Sequence, residues 1–70
     1  MNQMATGKFI YQKRKEKNLT QEALATILGV ERTTVTMWET GQNTPPTKYL
    51  VTLADALGCT LDELLRDDDT

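Results

Sequence analysis

The chain has 70 residues and a formal net charge of −2, so it is long enough for one small domain with a limited hydrophobic core. Its one cysteine, Cys59, excludes an intramolecular disulfide, and the absence of histidine excludes a Cys/His zinc cluster. No apolar run approaches the roughly 18 residues that a membrane-spanning helix needs, and the N-terminus lacks the apolar stretch of a signal peptide, so we expect a cytoplasmic location.

The charge is unevenly distributed along the chain. Residues 1–35 carry six basic and three acidic side chains, whereas residues 36–70 carry two basic and seven acidic ones. The basic half is compatible with an anionic partner, and the acidic half is typical of a solvated surface that aids solubility. We expect residues 1–6 to form a flexible tail, residues 7–66 one folded domain, and residues 67–70 an acidic tail.

A first helix is predicted over residues 7–17. Ile10 and Arg14 lie four residues apart and therefore share a face, with Phe9 beside Ile10 in the core. Asn18 suits the left-handed residue that often ends a helix.

Two further short helices, joined by a tight turn, are predicted over residues 21–28 and 32–40. Thr20 is a good N-cap for the first, and Gly29 stands where a left-handed helix end favours glycine. Glu31 is a weaker N-cap for the second. The first helix has apolar residues at the spacing of an amphipathic helix, namely Leu24, Ala25, Ile27 and Leu28. The second turns Val35 and Trp38 to one side, so we expect Trp38 in the core. This pattern is typical of a helix-turn-helix.

Two more helices complete the predicted fold. After a loop that contains Pro45 and Pro46, apolar residues at helical spacing predict a fourth helix over residues 47–57. Thr60 and Glu63 form a capping box at the start of a fifth helix, over residues 61–66. Because no stretch shows the alternation of a strand, the sequence predicts an all-α, compact five-helix domain.

The order and spacing of several motifs resemble the phage repressor and Cro-type (Xre-like) helix-turn-helix DNA-binding family. The motifs are Leu19-Thr20-Gln21-Glu22-x-Leu24-Ala25, Leu28-Gly29-Val30, Val35, Trp38-Glu39-x-Gly41 and Leu53-Ala54-Asp55-Ala56-Leu57-Gly58. The resemblance covers about residues 9–65. It implies a lambda-repressor-like fold, a homodimer, and double-stranded DNA with a palindromic operator as the partner. It also implies a repressor of prokaryotic or phage origin.

The polar face of the third helix is the candidate for reading bases. Its residues share one side of the helix, away from Val35 and Trp38, and they are Arg32, Thr33, Thr36 and Met37. Arginine can pair with guanine, threonine offers a hydroxyl and a methyl group, and Met37 offers an apolar contact. The alternative is an ordinary solvated helix face. The resemblance further implies that Gln21 meets a phosphate, and Gln42 and Asn43 are placed to reach the DNA backbone.

Two structural sites are also predicted. Arg14 and Glu39 should form a partly buried ion pair, because a carboxylate beside Trp38 is costly unless it is paired. The resemblance supports this pairing. Leu61, Leu64 and Leu65 exceed what a short terminal helix needs for its own docking, so we expect them to form the dimer interface.

An enzymatic function finds little support in the sequence. The chain has no histidine, no serine and no glycine-rich phosphate loop. We therefore expect no catalysis, cofactor, metal, membrane contact or small-molecule ligand. The alternative from a different functional class is an antitoxin-like or accessory module whose acidic face binds a protein.

Overall fold

The computed structural model describes residues 3–65, which form five α-helices and no strand. In chain order, α1 spans Gln3–Glu16, α2 Gln21–Leu28, α3 Arg32–Glu39, α4 Thr47–Leu57 and α5 Leu61–Leu65. The prediction of an all-α, five-helix domain is confirmed.

The helix boundaries differ from the prediction mainly at the start of α1. This helix begins at Gln3, so the predicted start at residue 7 is wrong, and residues 3–6 of the predicted tail are helical. Thr6 is only 2% exposed, which indicates that packing holds this end in place. α3, predicted over residues 32–40, ends one residue earlier, at Glu39, and Thr40 is its C-cap. Residues 1–2 and 66–70, including the predicted acidic tail, lie outside the described residues.

α1 packs closely against the end of α3. A Cβ atom added at Gly7 would lie 2.7 Å from the carbonyl oxygen of Glu39 and closer still to that of Trp38. Both atoms belong to the backbone and cannot rotate away, so the approach of the two helices requires a residue without a side chain. This contact fixes one end of α1 beside the last turn of α3.

The turn between α2 and α3 has the predicted local structure. Thr20 Oγ1 accepts a hydrogen bond from the backbone N–H of Ala23 at 2.9 Å and so caps α2. Gly29 has φ 73° and ψ 30°, the left-handed conformation that most residues with a Cβ avoid. The N–H of Val30 then returns to the carbonyl of Ala25, which closes the helix end.

The core lies between the helices and contains most of the predicted apolar residues. Its buried members are Ile10, Leu24, Ala25, Leu28, Val35, Trp38, Leu50, Leu53, Ala54, Leu57 and Leu64. Phe9 packs against this cluster only in part. Ile27 is half exposed, so its predicted place on the buried face of α2 is wrong. Ile27 lies on a part of α2 that α3 and α4 do not cover.

α5 begins with the predicted capping box. The backbone N–H of Thr60 donates to Glu63 Oε1 at 2.9 Å, and the N–H of Glu63 donates to Thr60 Oγ1 at 3.0 Å. These reciprocal bonds satisfy two amides at the start of a helix that has only five residues.

Candidate nucleic-acid interface

The outward face of α3 carries the four residues predicted to read bases. Val35 is fully buried and Trp38 is 2% exposed, so α3 is held by its inner side. Arg32, Thr33 and Met37 are exposed on the other side, and Thr36 is partly buried between them. The arrangement leaves a guanidinium, hydroxyl groups and a thioether on one exposed helix face.

The N-terminus of α3 lacks a side-chain cap. Glu31 has extended backbone angles, but its carboxylate makes no cap hydrogen bond. Only its carbonyl oxygen is used, as the acceptor for the N–H of Thr34 at 3.0 Å. The first amides of α3 are therefore left without the side-chain acceptor that Thr20 supplies to α2.

Arg14 and Glu39 lie in contact at the C-terminal end of α3. Arg14 Nε donates to Glu39 Oε2 at 2.6 Å, and Nη2 donates to Oε1 at 3.1 Å. Nη1 donates to the carbonyl of Leu19 at 2.7 Å. The hydrogen bond with Glu39 raises the pKa of the Arg14 guanidinium, outweighing the lowering caused by burial. The pair connects α1 to α3, and the third bond connects it to the α1–α2 turn.

Gln21 connects this ion pair to the outward face of α3. Its Nε2 donates to Glu39 Oε1 at 2.9 Å, and its Oε1 accepts from the hydroxyl of Thr36 at 2.9 Å. Arg32 Nη1 lies 3.5 Å from the same Oε1. The sequence did not predict this role. The resemblance to the family implied instead that Gln21 meets a phosphate. The amide keeps one more N–H that could donate to such a group.

Gln42 and Asn43 lie in the loop that follows α3, and both are exposed. Their backbone N–H groups donate to the carbonyl of Met37 at 2.9 and 3.2 Å, so the loop folds back onto the last turn of α3. Asn43 Nδ2 also lies 3.2 Å from the sulfur of Met37. The loop therefore places two amide side chains next to the face of α3 that carries Met37.

An open concavity of about 550 Å³ adjoins the N-terminal half of the motif. It lies between the end of α1 and the first turn of α2, and Arg32 forms part of its wall. Lys15 and Asn18, which were not predicted as site residues, line it together with Gln21. Lys15 lies four positions after Tyr11 on α1, and the sequence around it gives no sign that its side chain would line a concavity.

The three leucines predicted for the dimer interface do not share one environment. Leu64 is fully buried in the core of a single chain, so its assignment to a surface interface is wrong. Leu61 and Leu65 are 40% and 38% exposed. The buried face of α5 is covered by the other helices, and these two leucines are left on its outer side.

Within residues 3–65, no group of three or more histidine, cysteine, aspartate or glutamate residues could hold a metal ion. The same part of the chain contains no helix with the length and apolar character needed to span a membrane.

The sequence matches known regulators over most of its length. A helix-turn-helix family model matches residues 10–64. The chain is 40% identical over 60 residues to the HTH-type transcriptional activator BcrR of Enterococcus faecalis, covering 86% of the chain and 29% of that protein. It is 34% identical over 68 residues to Repressor protein C2 of Salmonella phage P22, covering 97% of the chain and 32% of that protein. The chain therefore spans about a third of the length of these two relatives.

Solved structures match the fold as well. The P22 c2 repressor protein in complex with synthetic operator 9T has a TM-score of 0.84 and 33% identity, covering 90% of this chain and 96% of that one. The restriction-modification controller protein C.AhdI from Aeromonas hydrophila has a TM-score of 0.82 and 31% identity, covering 91% and 93%. Both the sequence and the arrangement of helices place the chain in one family. The chain belongs to the phage repressor and Cro-type (Xre-like) helix-turn-helix family.

Proposed function

We propose that the chain binds double-stranded DNA in a sequence-specific manner, regulates transcription, and inserts α3 into the major groove. The observation that carries this proposal is the outward face of α3, where Arg32, Thr33 and Met37 are exposed on a helix anchored by Val35 and Trp38. An α-helix fits the width of the major groove, and these side chains can reach base edges there.

The sides of α3 offer groups for the phosphate backbone. Gln21, which has a second amide N–H, and the basic Lys15 both line the open concavity beside Arg32. Gln42 and Asn43 extend from the loop at the other end of α3. Contacts at both ends of a recognition helix would fix its register on the duplex without reading sequence.

The proposed binding unit is a homodimer on a palindromic operator. Two recognition helices related by a twofold axis would occupy half-sites about 34 Å apart. The exposed Leu61 and Leu65 on α5 supply an apolar surface for this pairing. Repression is the proposed outcome, because a dimer that covers a promoter excludes polymerase without further contacts. The P22 c2 repressor, whose fold this chain shares, has been solved in complex with a synthetic operator, which supports the proposal that the chain binds DNA.

Selection of binding sites from a random DNA pool tests the function directly. Enrichment of a palindrome, with half-sites one helical turn apart, is the expected result. Arg32→Ala should lose preference at one base pair of each half-site, and Arg32→Lys, which keeps the charge but not the planar fork, serves as the matched control. A pool with no enriched sequence, together with no salt-dependent gel shift, would contradict the proposal and favour the protein-interaction module.

A further inference from the structure

The donor and the acceptor are fixed in each hydrogen bond that links Arg14, Glu39 and Gln21. The Arg14 guanidinium can only donate, and the ionised carboxylate of Glu39 can only accept. Gln21 faces the same carboxylate at 2.9 Å, so it must present its Nε2 there. The amide of Gln21 is planar, and its Oε1 therefore points the other way, towards Thr36.

Thr36 has a single hydroxyl proton, and both of its neighbours within the protein are acceptors. Gln21 Oε1 lies 2.9 Å from Thr36 Oγ1, and the carbonyl oxygen of Arg32 lies 3.2 Å from it. Neither oxygen has a proton to give. The hydroxyl proton is thus directed into the protein, and only lone pairs and the methyl group remain for an outside partner.

We propose that Thr36 is a specificity-determining residue that accepts a hydrogen bond from the exocyclic amino group of adenine or cytosine. This inference rests on the proposed function, since it requires α3 to lie in the major groove. The N6 amino group of adenine and the N4 amino group of cytosine are the donors in that groove, whereas guanine O6 and N7 and thymine O4 are acceptors. A threonine with a free proton could serve either class of base, and Thr36 in this network serves only the donors.

Gln21 is the positioning residue in this arrangement. It touches no base itself, but it accepts the Thr36 proton through the shorter of the two hydrogen bonds. Its own orientation is determined by Glu39, which Arg14 holds with two hydrogen bonds. The preference at one base pair is therefore set by an ion pair one turn further along α3.

Nucleotide analogues in the selected operator test the inference. Comparing wild type with Thr36→Val, which has the same shape without the hydroxyl, identifies the base pair that Thr36 reads. At that pair, deleting the amino group (purine for adenine, or pyrimidin-2-one for cytosine) should weaken wild-type binding roughly three- to tenfold. The same deletion should leave Thr36→Val unaffected. Replacing the purine of the pair by 7-deazaadenine or 7-deazaguanine, which removes N7 alone, should leave wild type unaffected.

Several outcomes would overturn the inference without touching the proposed function. One is selection of an operator in which Thr36→Val changes no base preference. Another is a loss caused by the 7-deaza analogue in place of the amino deletion. If Thr36→Val fails to fold, Thr36→Ala, which also lacks the hydroxyl, identifies the pair, and wild-type measurements at that pair decide between amino group and N7. By contrast, wild type that selects no sequence at all would refute the proposed function itself.

A variant of Gln21 tests the positioning role. Gln21→Met keeps a similar side-chain volume but removes the acceptor, so the Thr36 proton becomes free to serve an acceptor on a base. The wild-type preference for an amino-bearing base over a base with a keto oxygen at that pair should then shrink to roughly twofold or less. The readout is a ratio of affinities for two operators, which an overall loss of affinity or stability does not change. An undiminished ratio would show that the Arg32 carbonyl alone directs the Thr36 proton and that Gln21 has no such role.

Discussion

Arg14 on α1 binds Glu39 at the end of α3 through two hydrogen bonds, of 2.6 and 3.1 Å. The side chains are only 7% and 4% exposed, so the pair is largely shielded from water. The planar guanidinium suits this two-point contact, which a lysine could not make. Together with the close approach at Gly7, the pair fixes α1 against the helix proposed to read DNA.

Removal of either charge should destabilise the fold. We expect Arg14→Ala and Glu39→Ala each to lower the free energy of unfolding by about 3 kcal/mol, because each leaves a buried charge without its partner. The double variant should lose much less than the sum of the two. Urea denaturation of wild type, the two single variants and the double variant measures these losses in a double-mutant cycle. Additive losses would mean that the two side chains do not interact energetically.

Gly7→Ala should destabilise the chain although alanine favours helices. In an unobstructed helix this change would gain about 1 kcal/mol. Here the new Cβ would clash with the carbonyl oxygens of Trp38 and Glu39, and α1 would have to move away from α3. A net loss of about 1–3 kcal/mol is expected from such overpacking. Thermal unfolding measures it, and Gln12→Ala, at an exposed position of the same helix, should remain near wild type. A stabilised Gly7→Ala protein would refute the close contact.

Substitutions of Leu64 and Leu65, which are adjacent on α5, should have different effects. Leu64→Ala should lower the free energy of unfolding by about 2–5 kcal/mol, because it leaves a cavity in the core. Leu65→Glu should instead leave the unfolding of the monomer nearly unchanged, while weakening self-association and DNA binding. Analytical ultracentrifugation with gel shifts measures both effects. A wild-type protein that sediments as a monomer at high micromolar concentration and still binds DNA tightly would contradict the proposed interface.

Arg32→Ala should reduce specificity more than non-specific affinity. Loss of a bidentate contact to guanine is expected to cost about 1–3 kcal/mol on the preferred operator. Binding titrations on the operator and on single-base variants measure this cost. If the substitution weakens binding to every sequence equally, Arg32 contacts a phosphate.

The dependence of binding on salt should be shallow. Few cations flank α3, and residues 36–70 carry seven acidic side chains against two basic ones. We expect a slope equivalent to about three to five phosphates per dimer. Removal of Asp67–Asp69 should tighten non-specific binding, because those charges would repel DNA. Titrations over a range of salt concentrations give the slope, and a steep slope or an unchanged truncated protein would count against this expectation.

Short-range signals in the sequence predicted much of the helical framework. The Thr20 cap, the left-handed Gly29 and the capping box of Thr60 and Glu63 are made within a few residues of one another, so their residue types suffice to indicate them. Helical spacing likewise placed Val35 and Trp38 on the buried side of α3. These features depend on backbone geometry that neighbours along the chain determine.

Tertiary packing decided what these signals could not. Leu64 and Leu65 are adjacent residues of one type, yet only Leu64 is covered by other helices. Ile27 fits the apolar spacing of α2 but lies beyond the region that its neighbours cover. α1 extends back to Gln3, with Thr6 buried, although the sequence predicted a start at residue 7. Burial is a property of where several helices meet, and a single helix pattern does not contain that information.

The sequence by itself determined the five helices, the family, and the residues that α3 turns outward. Only the tertiary structure decided the role of Gln21, which lies 15 and 18 residues from its partners Thr36 and Glu39. Its amide orientation follows from a carboxylate that can only accept, and that carboxylate is held by a guanidinium on another helix. Hydrogen-bond direction passes from one partner to the next in space, so it exists only once the helices are packed.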